Sequence, residues 1–85
     1  MQWDQSAKQK FDQMIEKIPV FMRPIALDKV SKKAESLALE NGKDHVSEKD
    51  MIDAFFQATP FGFHGPMKAD MESLGIDYIK YGHQP

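Results

Sequence analysis

The segment KIPVFMRP, Lys17 to Pro24, does more than any other to limit what this chain can fold into. A proline lacks a backbone N–H and turns the residue before it away from helical angles. Pro19 therefore ends a helix arriving from the N-terminal side, and Pro24 cannot sit deep inside the next one. Both flanks of this break are helical in pattern. Before it, Ala7, Phe11, Met14, Ile15 and Ile18 recur at i, i+4, i+7, i+8 and i+11, and Trp3 extends that stripe backwards by one turn. Lys8, Lys10, Asp12 and Glu16 take the opposite, solvated face. Asp4 stands at the N-cap, where its carboxylate can accept from free N–H groups of the first turn.

After the break, Val30, Ala34, Leu37 and Ala38 mark a second, longer helix, with Ala26 and Leu27 one turn earlier. Two starts satisfy the prolines. The helix begins at Pro19 and bends at Pro24, or it begins at Pro24 with VFMR as a separate turn. Gly42 in ENGKD occupies the place of a left-handed terminator. A third helix is the best marked of all. Ser47 caps it, Asp50 takes the N3 place of a capping box, and Val46 with Met51 forms a hydrophobic staple. Met51, Ile52, Ala54, Phe55 and Phe56 supply its apolar face, and Thr59-Pro60 ends it.

Beyond Pro60 the character changes. FGFHGP is a glycine–proline–aromatic loop, MKADMESLG reads as a short helix with Met67, Met71 and Leu74 on one side, and Gly75 stops it. The last residues, IDYIKYGHQP, are expected to be irregular, and no internal repeat is evident. The expected fold is all-α: a small three-helix core with a long central helix over residues 1–59. Residues 60–85 add the aromatic loop, a short helix and a tail that packs on or extends the same domain.

Composition narrows the function classes. The chain is 41% apolar and 28% charged, the balance of a compact domain and too apolar for disorder. It has no cysteine, which excludes disulfides and thiolate-held metal clusters. A net charge of −2 argues against general nucleic-acid binding. No apolar run reaches the roughly 20 residues of a membrane span, and MQWDQSAKQK lacks the apolar core of a signal peptide. A cytoplasmic domain is the resulting expectation.

Catalytic patterns are missing. His45, His64 and His83 each stand alone and are read as exposed loop residues, with no spacing that suits a metal. None of Ser6, Ser31, Ser47 and Ser73 lies in a nucleophile turn. The glycines of FGFHG lack the lysine and serine that follow a phosphate-binding loop. No catalytic, cofactor or metal residue is expected, and the chain is not read as an enzyme on its own.

Two features point outward instead. From Val20 to Lys33, four cations (Arg23, Lys29, Lys32 and Lys33) face one carboxylate, Asp28. Arg23, the only arginine, either ties the corner to a carboxylate or to exposed carbonyls of the first helix, or offers its planar fork to an external anion. Phe55, Phe56, Phe61 and Phe63 crowd nine positions, and at least one ring of the Phe61–Phe63 loop is expected to meet a surface or partner. Phe21 is expected to anchor the corner in the core, so that its truncation costs roughly 3–5 kcal/mol. The candidate partner or ligand surface is Phe21, Arg23, Lys29, Lys33, Phe61 and Phe63.

Trp3, Ala7, the Ile18-Pro19-x-Phe21-x-Arg23 corner, Glu35-x-x-Ala38, Gly42 and Val46 carry a resemblance from Trp3 to Phe56. In these residues the chain resembles PCP_red, a C-terminal helical domain of the light-independent protochlorophyllide reductase that also occurs free-standing. It departs where that family usually has tyrosine and this chain has Leu37. The resemblance implies a non-catalytic accessory module of an oxidoreductase of chlorophyll biosynthesis. Such a module docks on a reductase or covers a tetrapyrrole, with Phe21 and Arg23 presenting the surface. None of the parent's catalytic or cluster residues maps here. A second reading comes from the long helix, the GKDHVSEKD link and the capped helix, which look like the latter half of a histone fold. That would make a dimerising or DNA-associated module. A third reading is a plain protein-interaction domain using the aromatic loop.

Overall fold

The computed structural model describes all residues, 1–85. Four helices, α1 (Gln5–Lys17), α2 (Arg23–Glu40), α3 (Glu48–Ala58) and α4 (His64–Ser73), account for most of the chain. The fold is all-α apart from one two-residue parallel pair. In it β1 (Gln2–Trp3) lies beside β2 (His45–Val46), with Gln2 opposite His45 and Trp3 opposite Val46. Single 3₁₀ turns occupy Val20–Met22, Phe61–Phe63 and Ile79–Tyr81.

Helix boundaries follow local chemistry. The first helix stops at Lys17 and Ile18 adopts extended angles before Pro19, as the steric clash at a pre-proline residue requires. The second begins at Arg23 with Pro24 in its first turn, where the missing N–H costs nothing, and Val20–Met22 forms a separate turn. It ends in a Schellman motif: Lys43 N–H donates to Ala38 and Gly42 N–H to Leu39, with Gly42 at φ 73°. Gly75 closes α4 in the same way, through Ile76 to Met71 and Gly75 to Glu72. The capping box of α3 is complete, Ser47 and Asp50 each accepting the other's backbone N–H.

Asp4 precedes α1, but its side chain makes no capping bond; its backbone carbonyl accepts from Lys8 instead. Trp3 does not continue α1 as a helical turn. It belongs to β1, and its neighbourhood is fixed by Asp4 N–H donating to Val46. From there the indole packs on Phe11, ring centroids 4.9 Å apart, and donates to Glu35 at 3.2 Å.

The core is continuous across Pro60. Phe11, Met14 and Ile15 of α1, Val30, Ala34 and Ala38 of α2 and the apolar face of α3 join Met67, Met71, Ile76 and Tyr78 in one buried cluster. α3 packs mainly on the long α2 and also on α1, and α4 closes against α1. Buried Tyr78 donates to Glu72 at 2.7 Å; that carboxylate, with burial, raises the pKa of the phenol.

Phe21 is not in this core. Its ring is 80% exposed at the apex of the Val20–Met22 turn. The turn is one 3₁₀ revolution, too short to direct Val20, Phe21 and Met22 all inward, and none of the three is buried. Phe21→Ala is therefore expected to change unfolding free energy by less than about 1 kcal/mol in a urea melt, because exposed substitutions leave no cavity.

A candidate docking groove between two proline corners

The chain turns twice by the same device. At the first corner Pro19 precedes the Val20–Met22 turn and Met22 N–H donates to Pro19 at 2.9 Å. At the second, Pro60 precedes Phe61–Phe63 and Phe63 N–H donates to Pro60 at 2.9 Å. The next residue then starts a helix and reaches back to the carbonyls that end the previous one. Arg23 donates from Nε to Ile18 at 2.8 Å and from its terminal nitrogen to Glu16 at 2.9 Å. His64 Nε2 lies 3.1 Å from the Phe56 carbonyl and 2.9 Å from that of Thr59. Both partners only accept, so Nε2 carries the proton. Each corner thus satisfies free carbonyls at a helix C-terminus with a side chain from the following helix.

An apolar groove of about 510 Å³ runs between the corners. One wall is Ile18, Pro19, Met22 and Ile25; the other is Thr59, Pro60, Phe63 and Pro66. The floor is made of core residues: Met14, Val30, Phe55 and Met67. The two corners also carry apolar side chains exposed to solvent. At the second corner Phe61 is 86% exposed and Phe63 65%; at the first, Val20, Phe21 and Ile25 are exposed. Lys17, Lys29 and Asp70 are the charged residues of the lining.

The expected surface residues are therefore distributed unevenly. Lys29 and Phe63 line the groove, while Phe21 and Phe61 project from the turns of its two walls without forming its lining. Arg23 is committed to backbone carbonyls through Nε and one terminal nitrogen. Lys33 lies outside the groove. Sequence reading missed Met14, Ile18, Met22, Ile25 and Met67 as a shared surface, and it saw no repeat. The available signal was the pair IPVFMRP and TPFGFHGP, two proline-bracketed apolar turns each carrying a basic residue just before or near the second proline.

None of the three histidines is free in a loop: His45 lies in β2 with Nδ1 3.2 Å from the Asp44 carboxylate, and the other two are held more closely. His64 is held as described, edge-on to Phe56. His83 stacks flat on Phe56 with centroids 3.9 Å apart, and its Nε2 lies 2.6 Å from Asp53. No group of three or more His, Asp and Glu side chains is placed to hold a metal. No helix is long and apolar enough to cross a membrane.

A family model described as "Protein of unknown function (DUF2621)" matches residues 1–84. The chain belongs to the DUF2621 family. That match spans nearly the whole sequence, including the region beyond Phe56, and it overturns the resemblance to PCP_red. In this DUF2621 chain the residues that carried that resemblance have structural partners: Trp3 of β1 donates to Glu35 of α2, and Arg23 donates to the carbonyls at the end of α1. The chlorophyll and tetrapyrrole reading rested on that resemblance and lapses with it. No match is found among curated proteins or among solved structures.

Proposed function

We propose that this domain is a protein-docking module whose groove receives an apolar segment of another protein. One observation carries the reading: two like corners hold phenyl rings in water on either side of a recess floored by the core. Exposed apolar patches of this kind mark interaction sites, and aromatic anchors dominate the energetics of such sites. The groove's volume falls within the range of roughly 300–1,000 Å³ typical of ligand clefts. Its lining is mostly aliphatic, aromatic and proline, with Lys17, Lys29, Thr59 and Asp70 as the charged or hydroxyl-bearing members.

The nucleic-acid reading draws less support. Of the basic stretch, Lys32 pairs with Asp28 and Arg23 is bound to carbonyls. The extended link at His45–Val46 is already paired by the chain's own Gln2–Trp3, so it needs no second chain of a histone-like pair.

The test is a selection of displayed helical peptides against the domain, followed by comparison with the triple variant Phe21→Ser, Phe61→Ser and Phe63→Ser. All three rings are exposed, so the variant should keep the wild-type unfolding midpoint. Selected peptides are expected to lose at least about tenfold in affinity, equivalent to 1.4 kcal/mol. Failure to enrich any peptide, or equal binding to the variant, would sink the proposal.

A further inference from the structure

The groove's charges carry information about its occupant, an inference that rests on the docking reading. Most cations of this chain are committed internally. Lys8, Lys10, Lys32, Lys43 and Lys49 pair with carboxylates, and Arg23 with carbonyls. Lys68 and Lys80 lie over the rings of Phe56 and Tyr81. Lys17, Lys29 and Lys33 have no carboxylate, carbonyl or ring partner, and two of these three line the groove. The groove's only carboxylate, Asp70, likewise has no cation within salt-bridge distance. Lys17 and Lys29 belong to α1 and α2, the wall of the first corner, while Asp70 belongs to α4, the wall of the second. The rim is therefore positive on one side and negative on the other.

The walls also select the occupant's backbone. They are built from helices and prolines, and the chain's one strand pair, Gln2–Trp3 with His45–Val46, contributes nothing to them. An extended peptide entering here would lose water from its N–H and C=O groups and find no ladder to replace it. A helix brings those groups already satisfied and presents only side chains.

We propose that the occupant is an amphipathic helix of a partner protein. Its apolar stripe fills the recess, its carboxylates face Lys17 and Lys29, and a cation on its opposite flank faces Asp70. An anionic membrane surface fits less well, because Asp70 would be pressed against headgroups of its own sign.

The experiment uses two synthetic helices of about 16 residues, roughly 24 Å long. Both carry leucines at i, i+3, i+4 and i+7; one has glutamates along the flanking positions, the other lysines. Fluorescence anisotropy at about 0.15 M salt, where surface charges more than ~8 Å apart are screened, measures close pairing and not general attraction. The glutamate helix should bind at least about tenfold tighter to the wild-type chain. Lys17→Glu/Lys29→Glu should reverse that order, and Lys17→Gln/Lys29→Gln should remove the preference for glutamate and leave Asp70 to favour the lysine helix weakly. Circular dichroism of these surface variants should match wild type. Equal binding of both helices, lost together in the phenylalanine triple variant, would overturn the charge assignment and leave the docking module standing. Binding of neither helix, with or without binding to phosphatidylglycerol vesicles, would overturn both.

Discussion

Phe55→Ala is expected to lower the free energy of unfolding by about 3–5 kcal/mol, the usual range for truncating a buried phenylalanine. The ring is 2% exposed, 5.9 Å from Phe11, and sits on the helix that carries more buried residues than any other. A domain of this size has only about 5–15 kcal/mol to lose, so the variant should melt at markedly lower urea. The ring is also part of the groove floor. The space left behind opens toward the groove and admits water, which limits the cavity penalty but destroys the apolar floor. Stability and peptide binding should therefore fall together in Phe55→Ala, whereas the exposed phenylalanines should affect binding alone. A loss below about 1 kcal/mol would mean that the floor is not the core.

The second large effect belongs to Asp50, the only charged residue that is fully buried. Its carboxylate accepts from Lys43 at 2.5 Å, from Ser47 N–H at 3.0 Å and from the Ser47 hydroxyl at 2.9 Å. Burial works against its charge, but the Lys43 and Ser47 bonds prevail and its pKa is held below the ordinary carboxylate value. Asp50→Ala removes half of the capping box and strands the Lys43 ammonium. Lys43 can reach water, so the expected cost is about 2–4 kcal/mol, somewhat under that of breaking a wholly buried pair.

Asp50→Asn keeps the shape and isolates the charge. A carboxylate whose folded-state pKa is depressed contributes stability that is complete above its unfolded pKa of about 3.9 and is lost as pH falls through the folded value. Wild-type stability should therefore drop with acid below about pH 4. Part of that drop should disappear in Asp50→Asn, measured by urea melts between about pH 2 and 6. Identical acid profiles in the two proteins would show that the pair does not hold the Asp50 proton off.

What could be read from the sequence was whatever neighbours in the chain decide. The Ser47–Asp50 box, the glycine terminators at 42 and 75 and the stripe from Ala7 to Ile15 all depend on spacing of a few residues, and each stands where the pattern put it. The break at Pro19 was equally local. The failures involve long separations or direction. His83 meets Asp53 and Phe56 across some 30 positions, which no local pattern records. Trp3 has the right period for a helix, yet its pairing with Val46 draws it into an extended segment. Phe21 looks like an anchor because an apolar residue at a corner is usually buried, and only the turn's geometry shows that it points to solvent. The groove was illegible for a related reason: its residues come from all four helices and both corners, and no one stretch contains it.

Methionine methyl spectroscopy offers the most direct test that this groove is the binding surface. Of the chain's six methionines, Met14, Met22 and Met67 line the groove, Met51 and Met71 are buried elsewhere, and Met1 lies at the terminus. Titration of the methyl-labelled domain with the glutamate-flanked helix should move the signals of Met14, Met22 and Met67 saturably and leave the other three in place. Six unmoved signals, or shifts at Met1, Met51 or Met71 in place of the groove methyls, would contradict it.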